Sequence, residues 1–157
     1  MINIENYRNL VNSKRFVDVN AGFDVDESWL NPYLKDFQKV CVKWALKRGR
    51  AALFEDTGLG KTIQFLSWAR CVCDYTSGKV LVLSPLCVAH QTVKEAEKFG
   101  IKGVSYSRGV INTESDIIVT NYEMIDKFDI SQFVGVVLDE GSIIKNESGK
   151  TKELIVN

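Results

Sequence analysis

The chain has 157 residues, with 20 Lys and Arg balanced by 20 Asp and Glu, which is enough for one core of ordinary domain size and too little for two. Charge neutrality excludes a global basic field as the means of holding nucleic acid, so any such contact rests on a local patch. Cys41, Cys71, Cys73 and Cys87 form no C-x-x-C pair and His90 is the only histidine, which argues against a zinc framework and reads as reduced, buried thiols.

Residues 1–30 are polar and irregular and read as an N-terminal extension. Asn31-Pro32 opens a predicted helix that stops at Gly49, with Leu34, Phe37, Val40, Cys41, Trp44 and Ala45 on one face at spacings of three and four. The apolar run Ala51-Ala52-Leu53-Phe54 reads as a strand and runs into Glu55-Asp56-Thr57-Gly58-Leu59-Gly60-Lys61-Thr62, after which a helical pattern continues to about residue 74. Lys79-Val80-Leu81-Val82-Leu83 is continuous and apolar, the pattern of a strand buried on both faces. Ser84-Pro85 supplies an N-cap and a first-turn proline for a helix to about residue 99. Further strands are expected at 103–106, 117–120 and 134–138. Strands alternating with helices predict an α/β domain, a mostly parallel sheet with helices on both faces and ligands beyond the carboxyl ends of the strands.

Two such ends carry chemistry. A strand that breaks into a glycine loop and re-enters a helix aims backbone N–H groups and the positive end of the helix dipole at one point, as a phosphate-binding P-loop does. Gly58 and Gly60 permit close approach, Lys61 reaches terminal phosphates, and the Thr62 hydroxyl suits a magnesium ion. The first glycine of the full eight-residue pattern is replaced by Glu55. At the other end, the last apolar strand closes on Asp139-Glu140, a carboxylate pair that is costly beside a core unless a cation meets it. Asp139 is the expected metal ligand and Glu140 the residue that orients an attacking water. Taken separately, each motif also has a structural reading, as a capped helix start.

The motifs together resemble the first RecA-like lobe of superfamily-two helicases, and within them the Swi/Snf-like DNA translocases, most closely the compact forms carried by phages and prophages. Tyr33 to Gln38 is similar to the adenine-recognition element, which implies that Gln38 selects ATP. Leu53 to Thr62 is similar to the family's P-loop, acidic residue included, and implies that Thr57, Gly58, Leu59, Gly60, Lys61 and Thr62 hold ATP and Mg2+. Leu83 to Glu95 and Val119 to Glu123 resemble the two DNA-side motifs, which makes Ser84, Pro85, His90, Thr120 and Asn121 the implied nucleic-acid contacts, sequence-independent and on double-stranded DNA. Val136 to Asn146 is similar to the DEAH-type box, with Lys61, Asp139 and Glu140 as the catalytic set.

Where the family often has histidine, this chain has Ser142 after Gly141, and it stops at Asn157 after an amphipathic piece at 150–156. The expectation is therefore a single lobe, residues 31–157, that ends before the third motif and binds nucleotide weakly until a second RecA-like lobe is supplied in trans or by a longer chain. The alternative is a non-enzymatic lobe that occupies DNA or a helicase as a regulator. A GTPase is disfavoured because no Asn-Lys-x-Asp guanine reader is present. No stretch approaches the roughly 18 apolar residues of a bilayer span and the start shows no signal-peptide pattern, so the expected location is cytoplasmic.

Overall fold

The computed structural model describes residues 20–140. Its centre is a sheet of four strands, β1 (Lys79–Ser84), β2 (Val104–Tyr106), β3 (Ile117–Asn121) and β4 (Phe133–Leu138). All pairings are parallel and the order is β2-β3-β1-β4. Val80, Leu81, Val82 and Leu83 are fully buried, as a strand with neighbours on both edges and cover on both faces must be.

Side-chain alternation divides this strand between two cores. Val80 and Val82, with Ile117 and Val119, face the α-helices and pack with Leu46 of α1 (Asp36–Arg48), Leu66 and Val72 of α2 (Lys61–Thr76), and Ala89 and Ala96 of α3 (Leu86–Lys98). Leu81, Leu83 and Ile118 point the other way and pack against Tyr122, Ile125 and Phe128, in and just after the 3-10 helix Tyr122–Lys127. The chain runs outward from β1 over one face and returns from β3 to β4 in the opposite direction. A crossover of constant hand therefore sends the return over the opposite face.

Several local expectations need correction. Residues 51–54 form no strand: β4 is the outer strand of the sheet and pairs only with β1, so no described neighbour takes the backbone of this segment, and Phe54 is 98% exposed. The first helix begins at Asp36, because Asn31 is engaged in a turn: its Oδ1 accepts from the Tyr33 N–H at 3.0 Å and its Nδ2 donates to Phe99 O at 2.9 Å. The buried row of α1 is Gln38, Val42, Ala45 and Leu46, whereas Phe37, Val40 and Trp44 are exposed. Pro85, not Ser84, is the N-cap of α3, with no side-chain cap bond, because the Ser84 hydroxyl is engaged elsewhere.

The core does not respect a boundary at residue 31. Val25 and Leu30 belong to it, and the N–H groups of Ala21, Gly22 and Phe23 donate to the carbonyls of Arg48, Lys47 and Leu46, satisfying acceptors that the last turn of α1 leaves open. That approach needs a glycine, since a Cβ on Gly22 would lie 1.8 Å from Leu46 O. Burial pushes the Cys71 and Cys73 thiols up to about 11, in keeping with inert core cysteines. No helix among the described residues is long and apolar enough to cross a membrane.

Candidate nucleotide site and strand-end motifs

Gly60 is the N-cap of α2 and sits in the left-handed region at φ 73°, with Gly58 at φ 85° two residues before it. The turn is built for glycine: a Cβ on Gly60 would lie 2.6 Å from Gln38 Nε2. The loop from Asp56 to Gly60 is exposed, Lys61 and Thr62 are half-buried, and the first turn of α2 carries no acidic residue. The positive end of the α2 dipole therefore follows an exposed loop and has no acidic residue within its first turn.

A buried polar layer supports the loop. Gln38, one turn into α1, uses both ends of its amide: Oε1 accepts from the Lys35 N–H at 2.8 Å and Nε2 donates to Leu59 O at 2.7 Å. Gln64 of α2 donates to Glu55 Oε2 at 2.7 Å, and the Cys41 thiol of α1 donates to the same carboxylate. Burial first, then the Glu55 charge and this hydrogen bond, hold the Cys41 thiol above its ordinary range. Glu55, which looks like a departure in the sequence, thus ties α1 to α2 beneath the loop. Nothing in the one-dimensional pattern marks Cys41 and Gln64 as its partners, because their helical positions relative to Glu55 appear only once the helices pack.

The carboxylate pair meets this loop across the sheet. Lys61 Nζ donates to Glu55 O at 3.2 Å and lies 3.7 Å from Glu140 Oε1. Glu140 has φ 55°, a left-handed conformation that is strained for a residue with a Cβ and that turns its carboxylate towards the lysine side. Asp139 is held at three points. Its N–H donates to Leu83 O at 2.9 Å, its Oδ2 accepts from Ser84 Oγ at 3.1 Å, and its carbonyl accepts from Tyr122 Oη at 2.6 Å. Burial holds the Asp139 carboxyl above the usual range, with Glu140 adding to the rise and the Ser84 bond and Lys61 opposing it. Such a carboxylate gains by meeting a cation. Tyr122 is likewise raised, by burial first and then by Asp139 and Glu140.

Lys61, Asp139 and Glu140 thus come together, with Thr57 to Thr62 around Lys61 and Gln38 underneath. The expected nucleic-acid set does not behave as one group. Ser84 and Thr120 are fully buried and Asn121 nearly so, which removes all three side chains from solvent. They close the ends of β1 and β3, where cover on both faces leaves no route outward. Thr120 Oγ1 has no described partner, and Asn121 Oδ1 accepts from Tyr106 Oη at 3.3 Å. Pro85 is half-buried and His90 exposed, its ring 4.2 Å from that of Tyr106. Gly141, Ser142 and the Lys145-Asn146 tail of the last motif lie outside the described residues, as does the 150–156 piece.

The family model of the SNF2-related domain matches residues 37–157. Two solved structures share the fold. The UvsW helicase from bacteriophage T4 aligns with a TM-score of 0.65 and 18% identity over 98% of this chain and 55% of that one. The SWI2/SNF2 ATPase core of Sulfolobus solfataricus, in complex with dsDNA, aligns with a TM-score of 0.65 and 22% identity over 83% of this chain and 31% of that one. The chain spans about half the length of the first and under a third of the second. Their likeness establishes a parallel α/β lobe of the RecA-like helicase type. No curated protein matches the chain.

Proposed function

Because the chain belongs to the SNF2-related domain family, we propose that it is the ATP-binding lobe of a DNA-dependent ATPase of the helicase and translocase type. The observation that carries this reading is the meeting of Lys61 with Glu140, 3.7 Å apart, which brings the start of α2 and the carboxyl end of β4 to one point. An exposed glycine loop at a helix N-terminus, one lysine and an opposed carboxylate pair suit a polyphosphate accompanied by one divalent cation.

In this reading the residues from Thr57 to Thr62 hold the phosphates and Gln38 supports the loop. Gln38 selects adenine only by giving up one of its two present bonds. Among the described residues no three His, Cys, Asp or Glu side chains gather round one point, so a magnesium ion here relies on Thr62, Asp139 and phosphate oxygens together. Bound there, the ion neutralises charge on the transferring phosphoryl group. Glu140 orients the attacking water, and its carboxylate is released for that role when Lys61 turns to phosphate. On the DNA side the accessible groups are Pro85, Leu86, Cys87 and His90 at the start of α3, which suit sequence-independent backbone contact. The dsDNA complex of the SWI2/SNF2 core supports a double-stranded ligand. A second RecA-like lobe supplies the opposite wall of the site, including the arginine that such phosphoryl transfer requires.

Binding of a fluorescent ATP analogue and ATP turnover, with and without double-stranded DNA and a separately supplied second lobe, test this. The chain alone should bind Mg·ATP, and turnover should rise when the second lobe is added. Loss of the charge-assisted contact in Lys61→Ala should cost about 1.5–3 kcal/mol, roughly ten- to hundred-fold in nucleotide affinity. If neither Lys61→Ala nor Asp139→Ala changed nucleotide binding while DNA or a helicase was still captured, the chain would be a regulator and not an ATPase lobe.

A further inference from the structure

Two hydroxyls that stand in the expected DNA-side motifs are turned inward onto one carboxylate residue. Ser84 closes β1 and Tyr122 comes directly after β3; neither reaches solvent. Ser84 Oγ donates to Asp139 Oδ2 at 3.1 Å and Tyr122 Oη to Asp139 O at 2.6 Å. A buried hydroxyl is costly unless bonded, and both are bonded to the same residue. One fixes its side chain, the other the peptide that leads into the left-handed Glu140. The Asp139 carboxyl also accepts from the N–H of the following Glu140, and Asp139 shares this end of the sheet with Lys61.

We propose that Ser84 and Tyr122 are positioning residues that set Asp139 for a divalent cation, so that the two strand-end motifs act on the metal ligand and do not touch nucleic acid through these side chains. The inference rests on the ATP-site reading. It accords with the general behaviour of carboxylate ligands, whose outer hydrogen-bond partners fix orientation and whose loss costs on the order of ten- to hundred-fold in metal affinity. A purely structural role predicts something else: lost stability with metal affinity unchanged.

The test uses the full chain with saturating ATP and follows Mn2+ binding by electron paramagnetic resonance, alongside thermal unfolding without metal. Ser84→Ala and Tyr122→Phe each delete one oxygen; Tyr122→Phe keeps the ring in its core and guards against a Ser84 variant that fails to fold. The expected result is Mn2+ affinity weakened about ten-fold in either variant, with metal-free unfolding midpoints near that of the parent and affinity for a short DNA duplex unchanged. Unaltered Mn2+ affinity in a folded Tyr122→Phe and Ser84→Ala pair overturns the proposal alone, provided that Lys61→Ala still weakens nucleotide binding. A parent chain that binds neither ATP nor Mn2+ overturns both this inference and the reading beneath it. Loss of DNA affinity with metal affinity intact would overturn the proposal, returning Ser84 to direct nucleic-acid contact and adding Tyr122 to that set.

Discussion

The loop at Thr57 to Thr62 and the strand ends at Ser84 and Thr120 lie towards the same carboxyl end of one parallel sheet, yet they are built in opposite ways. The loop exposes its backbone and keeps its polar support, Gln38, Gln64 and Glu55, below it. The strand ends bury their hydroxyls, and only the start of α3, Pro85 to His90, reaches solvent beside them. The difference teaches that a polar residue in a ligand-binding motif has two possible uses, to meet the ligand or to hold a neighbour that does. Burial separates them, because a side chain with no path to solvent has no path to a phosphate either.

The contrast is sharpened first by Gln38→Ala. It leaves the Leu59 carbonyl and the Lys35 N–H without their partners and opens space under Gly60, so stability should fall by about 2–3 kcal/mol, read by chemical denaturation. A loss below about 0.5 kcal/mol would mean that the loop stands without its buried layer. Thr120→Val is next. It replaces a buried hydroxyl that lacks a partner with a methyl group of the same shape, and should leave stability unchanged or raise it by about 1 kcal/mol, with duplex affinity unaltered. Weaker DNA binding in a stable Thr120→Val protein would break the comparison outright. The smallest effect belongs to His90→Ala, which loses an exposed ring resting on Tyr106: stability should stay within about 0.5 kcal/mol, and any change should appear in the salt dependence of duplex binding.

Much of this architecture is legible in the chain. Val80 to Leu83 reads as a doubly buried strand because four consecutive apolar residues have no polar face to offer, and all four are buried. The Gly58-Leu59-Gly60-Lys61-Thr62 turn is equally plain, since left-handed φ values at both glycines suit residues without a Cβ. The first helix misleads for a physical reason. Phe37, Val40 and Trp44 repeat at helical spacing, but the buried row runs through Gln38, whose amide is satisfied by two hydrogen bonds and so can replace an apolar side chain. The 51–54 run fails for another: four apolar residues make a strand only where a neighbouring backbone accepts them, and that depends on sheet order, which no local pattern contains. The inward turn of Ser84 is hidden in the same way, for its partner lies 55 positions further along the chain.

The three bonds from Ala21, Gly22 and Phe23 to the end of α1 also have a mechanical meaning. They form a clasp between the leading segment and the last turn of a helix, placed ahead of Val25 and Leu30, which are anchored in the core. Tension applied from the leading end loads this clasp before it reaches either anchor. A side chain at Gly22 would open it and hand the same pull directly to the hydrophobic core.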